Sequence, residues 1–219
     1  MDLFMENGSL SAAWKPGKFL KRVIWAPHWT VGEADSFFST STFLQYADFM
    51  LELARKYSSQ IQFCFKPHPM LHNRLCRLEG WGRERADAYY RKWQELPNAQ
   101  YNNGEYVGLF KQSDALIHDC GSFLIEYLMT GKPCMYLFRE VKKAPDLNRM
   151  SIDALECHYH GYTKEHIEEF LLNLLSGHDS MLRDRQSYRE TYLLPQNGKT
   201  AAQNIIDTIL PPSLTQASR

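Results

Sequence analysis

The sequence predicts an α/β protein with a Rossmann-like parallel sheet flanked by helices. Short apolar runs alternate along the chain with longer amphipathic runs, which is the pattern of repeated β-α units. Polar residues and histidines follow directly after several of the apolar runs, where a parallel sheet places its ligand sites. The hydrophobic share of 44% and the charged share of 23% are typical of a globular protein with a core.

The expected strands are short, apolar and, in the first two cases, stopped by proline. Five segments meet this description: residues 22–27 (RVIWAP), 61–66 (IQFCFK), 99–101, 115–118 (ALIH) and 134–138 (CMYLF). Residues 145–161 form the least regular part of the chain, and no element is predicted there.

Helices are expected wherever apolar residues recur at helical spacing between these strands. The predicted segments are residues 42–57, 83–96, 106–111, 122–130, 163–175, 180–192 and 199–210. Gly131 suits the position just after a helix, and Thr163 suits an N-cap. Residues 21–210 are therefore predicted to form one domain, with a flexible segment at 1–20 and a tail at 211–219.

Charge and composition exclude several classes of protein. Lysine plus arginine equals aspartate plus glutamate, at 25 each, so no global field attracts nucleic acid. No stretch reaches the ~18 apolar residues of a membrane span, and any membrane contact is expected to be peripheral. Five cysteines without a C-x-x-C pair indicate reduced, mostly buried thiols in a cytosolic protein.

The strongest candidate site is the turn Asp119-Cys120-Gly121-Ser122, which follows the strand at 115–118. Gly121 allows backbone to approach a ligand closely, and Ser122 can begin a helix whose free N–H groups favour an anion. Cys120 is the cysteine placed nearest such a helix start. The alternative is an ordinary strand-to-helix turn, capped by the serine, that binds nothing.

Two histidines and a lysine end the first two strands. His68 lies between prolines on a stiff backbone, where it can donate to a phosphate or act as general acid or base. In extended geometry Lys66 points to the same side as His68. A purely structural histidine is the alternative at position 68, and His28 is open to both interpretations.

Further polar groups flank these positions. Glu126, one helical turn after Ser122, can accept hydrogen bonds from sugar hydroxyls or simply complement the helix N-terminus. Arg139 opens a basic cluster with Lys142 and Lys143, which predicts either phosphate contact or a solvated surface. The sequence lacks G-x-x-x-x-G-K-[ST], G-x-G-x-x-G, G-x-S-x-G and metal-site spacings, which argues against ATPases, dehydrogenases, α/β-hydrolases and metal enzymes.

Four segments resemble the CDP-glycerol glycerophosphotransferase family, the teichoic-acid-type polymerases and primases of GT-B architecture. They are VIWAPHW (23–29), FKPHP (65–69), SDALIHDCGSFLIEYLMTGKPCMYL (113–137) and NGKTAAQNIIDTI (197–209). Order and spacing match from about residue 21 to residue 210. The same strand-turn-helix pattern is also similar to UDP-N-acetylglucosamine 2-epimerases and other GT-B enzymes.

This resemblance implies the C-terminal, donor-binding half of a GT-B transferase. Such an enzyme moves a polyol phosphate from a CDP-activated donor, such as CDP-glycerol, to a hydroxyl of a cell-surface polymer or glycolipid, without a metal or other cofactor. His68 matches the family's conserved histidine and is the catalytic candidate. Donor-phosphate residues are expected to be His28, Lys66, Asp119, Cys120, Gly121 and Ser122, and nucleoside or polyol residues Glu126 and Arg139.

The chain departs from the family pattern at two places. The family's Asp-Tyr-Ser-Ser turn reads Asp-Cys-Gly-Ser here, and its Thr-Trp-Arg reads His28-Trp29-Thr30. One hydroxyl and one fixed positive charge are missing, and His28 is the residue placed to supply that charge. The acceptor site is expected on another half or a partner chain, so turnover by this chain alone would be weak or absent.

Two other functions remain open at this point. One is a GT-B glycosyltransferase or epimerase-like domain that uses a nucleoside-diphosphate sugar. The other is a non-catalytic nucleotide-binding or assembly module. For the favoured function, the expected location is the cytoplasm, with the full enzyme at the inner membrane face.

Overall fold

Every strand of the sheet runs parallel to its neighbours. The computed structural model describes residues 2–5, 12–32, 41–139, 147–195 and 197–210. In these residues six strands pair: β1 (Lys21–Ala26), β2 (Ile61–Phe65), β3 (Ala99–Tyr101), β4 (Ala115–His118), β5 (Cys134–Leu137) and β6 (Tyr159–Gly161). Their order across the sheet is β3-β2-β1-β4-β5-β6. The expected Rossmann-like α/β fold is confirmed.

Helices connect the strands and cover both faces of the sheet. They are α1 (Asp2–Met5), α2 (Phe43–Lys56), α3 (Leu71–Cys76), α4 (Gly82–Glu95), α5 (Val107–Gln112), α6 (Phe123–Glu126), α7 (Arg149–Leu155), α8 (Lys164–Ser176), α9 (Leu182–Tyr188) and α10 (Ala201–Ile209). A 3-10 helix at Tyr127–Thr130 follows α6, and a π-helical turn at Arg189–Leu193 follows α9.

Strand alternation divides the core into two clusters, one on each face of the sheet. On β1, Val23 and Trp25 face a cluster covered by α2, α3, α4 and α8. Ile24 and Ala26 face a second cluster covered by α5, α6, α7 and α9. The indole of Trp25 stacks on Phe43, with 5.8 Å between ring centroids. Because all of β1 except its first two residues is buried, the strand reads as one apolar run.

The segment at 145–161 was expected to be irregular, and this expectation was wrong where the structure describes it. It contains α7 and the sixth strand, β6, which pairs with β5. β6 has only three residues, Tyr-His-Gly, so it carries no apolar run to predict it. A Cβ at Gly161 would lie 2.5 Å from Cδ2 of Leu137, so that side chain would have to shift to admit any other residue.

The prediction of a flexible segment at 1–20 was wrong for residues 12–20. Trp14 is buried in the second core cluster, and its indole N–H donates to the Leu109 carbonyl at 3.3 Å. The amide of Lys15 donates to Oε1 of Gln100 at 2.6 Å. The tail predicted at 211–219 lies outside the described residues.

The last helix, α10, is held at its start. The carboxylate of Asp2 accepts the amides of Ala201 and Ala202 at 2.8 and 2.9 Å. No side chain of α10 is buried within the described part of the chain, and Ile205 and Ile206 are each more than half exposed. Within the described residues, no helix has the length and apolar content needed to cross a bilayer.

Thr163 caps α8 as the sequence predicts. Its hydroxyl oxygen accepts the amide of His166 at 3.3 Å. We expect Thr163→Ala to lower the free energy of unfolding by about 1 kcal/mol, because one amide of the first turn loses its partner. Thr163→Asn should retain most of the stability. Urea denaturation measures both, and equal losses in the two variants would contradict a capping role.

Candidate functional site

The polar residues expected at the site meet at one edge of the sheet. Trp25 of β1 pairs with Phe65 of β2 on one side and with Ile117 of β4 on the other, so the three carboxyl ends lie level. The strand order reverses beside β1, which leads to β2 on one side and β4 on the other. In open parallel sheets this switch point is where ligands bind.

Asp119 connects the loops at the switch point. Its carboxylate is fully buried, and Oδ1 accepts the backbone amide of His28 at 2.5 Å. Oδ2 accepts both the amide and the hydroxyl of Thr42, at 2.5 and 2.8 Å, at the start of α2. Burial raises the pKa of Asp119 to about 6, against the opposing effect of these hydrogen bonds.

The structure therefore gives Asp119 a role other than the predicted phosphate contact. Both carboxylate oxygens are occupied by donors of the protein itself, and a buried anion would repel a phosphate. Asp119 instead organises the loop after β1 and the start of α2. Sequence reasoning also missed Thr42, although a Ser-Thr pair before an amphipathic helix is a capping signal.

The turn itself is open to solvent at its glycine. A Cβ on Gly121 would meet no atom within 4 Å, so a ligand can approach the backbone there. The Ser122 hydroxyl lies 3.0 Å from Sγ of Cys120 and makes no capping hydrogen bond. The serine cap of the alternative interpretation is therefore not formed, although α6 begins directly after Ser122.

The helix after the turn is shorter than predicted. In place of an α-helix over 122–130, one α-helical turn, α6, is followed by the 3-10 helix. The helix dipole is correspondingly short, and an anion would depend on the backbone N–H groups of the turn. Gly131 ends the 3-10 helix in the left-handed region, with φ of 69°, as its position predicts.

Two buried side chains lie beneath the turn. Burial raises the pKa of the Cys120 thiol, which keeps this cysteine protonated at neutral pH. His118, the last residue of β4, is fully buried, and its Nδ1–H donates to the carbonyl of Cys120 at 3.0 Å. The sequence predicts His118 as one of the polar strand ends of the site and assigns it no role of its own.

His28 and His68 form a pair of imidazoles, with 5.2 Å between ring centroids. Nδ1 of His68 accepts the amide of Met70 at 3.2 Å, so in the neutral ring Nε2 carries the proton and can donate to a ligand. Burial lowers the pKa of His68. Burial, and then the proximity of His68, lower the pKa of His28 to about 4. His28 therefore does not supply a fixed positive charge at neutral pH.

Lys66 serves the neighbouring loop. Its ammonium group donates to the carbonyl of Gly104 at 2.7 Å and to Oδ1 of Asn102 at 3.1 Å, both after β3. The residue is 7% exposed, and burial lowers its pKa. The predicted contact with phosphate is replaced here by contacts that fix the end of β3.

Glu126 and Arg139 lie at the margin of the site. The Glu126 carboxylate accepts a hydrogen bond from the Tyr106 hydroxyl. Its Oε2 is buried and has no hydrogen-bond partner among the described residues. Arg139 is exposed just beyond β5. Lys142 and Lys143 lie outside the described residues.

In the described ranges, no three histidine, cysteine or acidic side chains are grouped so as to hold a metal ion. All five cysteines are free thiols, and all but Cys76 are buried.

The fold resembles part of several solved proteins. No protein-family model and no curated sequence matches the chain. A histidine-to-asparagine variant of the wall teichoic acid polymerase TagF matches with a TM-score of 0.57 and 18% identity, over 90% of this chain and 44% of that chain. The same variant soaked for 30 minutes with CDPG gives 0.56 and 17%, over 93% and 45%.

A second kind of structure also matches. UDP-GlcNAc 2-epimerase from Neisseria meningitidis, bound to UDP-GlcNAc, gives a TM-score of 0.50 and 15% identity, over 89% of this chain and 45% of that chain. The chain thus spans less than half the length of these structures. At such identities the likeness shows the fold.

Proposed function

We propose that this domain binds the nucleotide-activated donor of a GT-B transferase, with a CDP-linked polyol phosphate such as CDP-glycerol as the donor. The observation that carries this proposal is the open backbone at Gly121, one loop away from the His28–His68 pair at the switch point of the sheet. Similarity to TagF, including its form soaked with CDPG, supports the choice of donor.

In the proposed reaction an acceptor hydroxyl attacks the phosphorus atom that carries the polyol. A new P–O bond to the acceptor forms, the bond to the bridging oxygen breaks, and CMP leaves. Nε2–H of His68 donates to the phosphate as negative charge develops on the leaving group. Backbone N–H groups at Gly121 and Ser122 hold the diphosphate. A base on an acceptor half or partner chain takes the hydroxyl proton.

The same site can serve a nucleoside-diphosphate sugar. Similarity to the UDP-GlcNAc 2-epimerase favours this second candidate. Both functions use the open turn and His68. They differ in the nucleobase of the donor and in the group attached to its diphosphate. In either case we expect this chain to bind the donor and to show weak or no turnover without an acceptor half. We expect the complete enzyme to need no metal and to act in the cytoplasm, at the membrane face.

Gly121→Ala tests whether the turn binds the donor. The added methyl group meets nothing in the protein, so the variant should unfold at the same urea concentration as the wild type. A ligand that approaches the backbone would meet the methyl group, and we expect affinity for CDP-glycerol to fall about tenfold, which is ~1.4 kcal/mol. Gly108→Ala is the matched control, since its Cβ makes only an ordinary contact, at 3.8 Å, with Ala13.

Calorimetry with four ligands tests the donor class. CDP-glycerol is expected to bind more tightly than UDP-GlcNAc and CMP, and about as tightly as CDP-ribitol. His68→Ala should weaken the two CDP-polyols more than CMP, because CMP lacks the second phosphate. If UDP-GlcNAc binds more tightly than CDP-glycerol, the proposed donor is wrong and the donor is a sugar nucleotide. Unchanged affinities in both His68→Ala and Gly121→Ala would show that the site is elsewhere.

A further inference from the structure

A second group of chemically active side chains lies on the hairpin of α3 and α4. Cys76 ends α3 and is the one cysteine of the chain that is not buried. His72 lies one helical turn before it, with Nδ1 at 3.8 Å from the Cys76 sulfur. The other ring nitrogen, Nε2, lies 2.7 Å from Oδ1 of Asp87 on α4. Cys76, His72 and Asp87 thus lie in a row as a thiol, a base and a carboxylate that orients the base.

The Asp87 contact determines which nitrogen of His72 faces the thiol as a base. A carboxylate only accepts hydrogen bonds, so in the neutral ring it holds the proton on Nε2. The lone pair of Nδ1 is then directed at Cys76. This is the arrangement in which an imidazole takes a proton from a nucleophile while a third group fixes its tautomer.

Tyr90 adds a buried, unpaired hydrogen-bond donor to this group of side chains. Its ring packs edge-on against His72, with centroids 4.9 Å apart. The phenol oxygen is buried, and it has no hydrogen-bond partner among the described residues. Burial, followed by nearby Tyr101 and Cys76, raises the pKa of the phenol, which stays neutral.

We propose that Cys76 is a reactive thiol that exchanges with small-molecule disulfides, with His72 as its base. His72 takes the thiol proton, and the thiolate sulfur attacks one sulfur of the disulfide. A new S–S bond to Cys76 forms, the S–S bond of the reagent breaks, and the departing thiolate takes the proton from His72. The product is a reversible mixed disulfide on the protein. This site is independent of the donor site.

The other cysteines do not compete for the same reagent. Cys64, Cys120, Cys134 and Cys157 are all buried. Burial raises the pKa of each of these four thiols, to about 12 for Cys64 and about 11 for Cys157. A protonated, buried thiol reacts slowly because the thiolate is the nucleophile.

Intact-mass spectrometry after incubation with glutathione disulfide tests the proposal on the whole chain. We expect one mixed disulfide per molecule, located at Cys76 by peptide mapping and absent in Cys76→Ser. His72→Gln and Asp87→Asn should slow its formation at neutral pH about five- to tenfold. Glu84→Gln is the control, since it removes one exposed carboxylate from α4 without touching His72. First modification at a buried cysteine would overturn the proposal.

The pH dependence separates a base from a structural role. The titratable groups against the thiol are His72 from α3 and Tyr90 from α4, with Asp87 behind His72 and Tyr101 of β3 packed on Tyr90 at 5.1 Å. As pH rises, solvent deprotonates the thiol without help. The rate advantage of the wild type over His72→Gln should therefore shrink toward one at alkaline pH. A constant ratio at all pH values would mean that His72 only controls access, and would overturn the proposal.

Discussion

Asp119→Ala is expected to lower the free energy of unfolding by about 3–5 kcal/mol, a large share of the ~5–15 kcal/mol of a typical domain. The substitution leaves the amides of His28 and Thr42, and the Thr42 hydroxyl, without their acceptor. Each buried donor that loses its partner costs about 1–3 kcal/mol, and relief of the buried charge returns part of the loss. Urea denaturation followed by circular dichroism measures the change.

Two variants divide this effect into its parts. Thr42→Val removes only the hydroxyl donor to Asp119 and should cost about 1 kcal/mol. Asp119→Asn keeps one oxygen as acceptor but turns an NH₂ group toward the remaining donors. Its loss of unfolding free energy should therefore lie between those of Thr42→Val and Asp119→Ala. A stability of Asp119→Ala within 1 kcal/mol of the wild type would contradict the role of Asp119 in joining these loops.

The same contacts explain why the sequence placed these polar residues at strand ends but did not show which groups they bind. The turn was recognisable because an apolar strand stops at a polar, glycine-containing segment, which is a local signal. The partners of Asp119 are 77 and 91 residues away in the chain, so its carboxylate orientation depends on packing that no local pattern contains. For the same reason Lys66, correctly placed at a strand end, was assigned a ligand instead of the β3 loop.

The elements that the sequence did not predict lack an apolar periodicity of their own and are held by contacts with residues distant in the chain. β6 is held by pairing with β5 and by the absence of a side chain at Gly161, although its three residues are not apolar. Trp14 is buried and makes one hydrogen bond to a residue 95 positions away, which orders a segment that contains Pro16 and Gly17. The longer strands and amphipathic helices were predictable because burial on the sheet imposes their periodicity directly.

Acid is expected to destabilise the domain well before its surface carboxylates titrate. Burial lowers the pKa of His158 to about 3 and that of His118 well below its usual value. Both rings are neutral in the folded protein, whereas each takes up a proton near pH 6.5 once unfolded. The unfolded state therefore binds more protons below pH 6.5, and the free energy of unfolding falls as pH falls.

The size of the effect follows from counting protons. Each buried histidine contributes a slope of about 1.4 kcal/mol per pH unit between its unfolded and folded pKa. Asp119, with a folded pKa of about 6, opposes one of them, because between about pH 6 and 4 the folded state holds a proton that the unfolded state has lost. His28 acts in the same direction as the two buried histidines. Three histidines act in one direction and Asp119 in the other, so the net uptake is about two protons and the free energy of unfolding should fall by about 2.7 kcal/mol per unit between pH 6 and 4.

His158→Phe identifies the source of this slope. The ring remains able to pack against His118, whose centroid lies 5.2 Å away, while one titrating group is removed. The slope between pH 6 and 4 should decrease by about 1.4 kcal/mol per unit, whatever the variant's stability at pH 7. An unaltered slope in His158→Phe would show that the proton uptake of acid unfolding occurs at other groups.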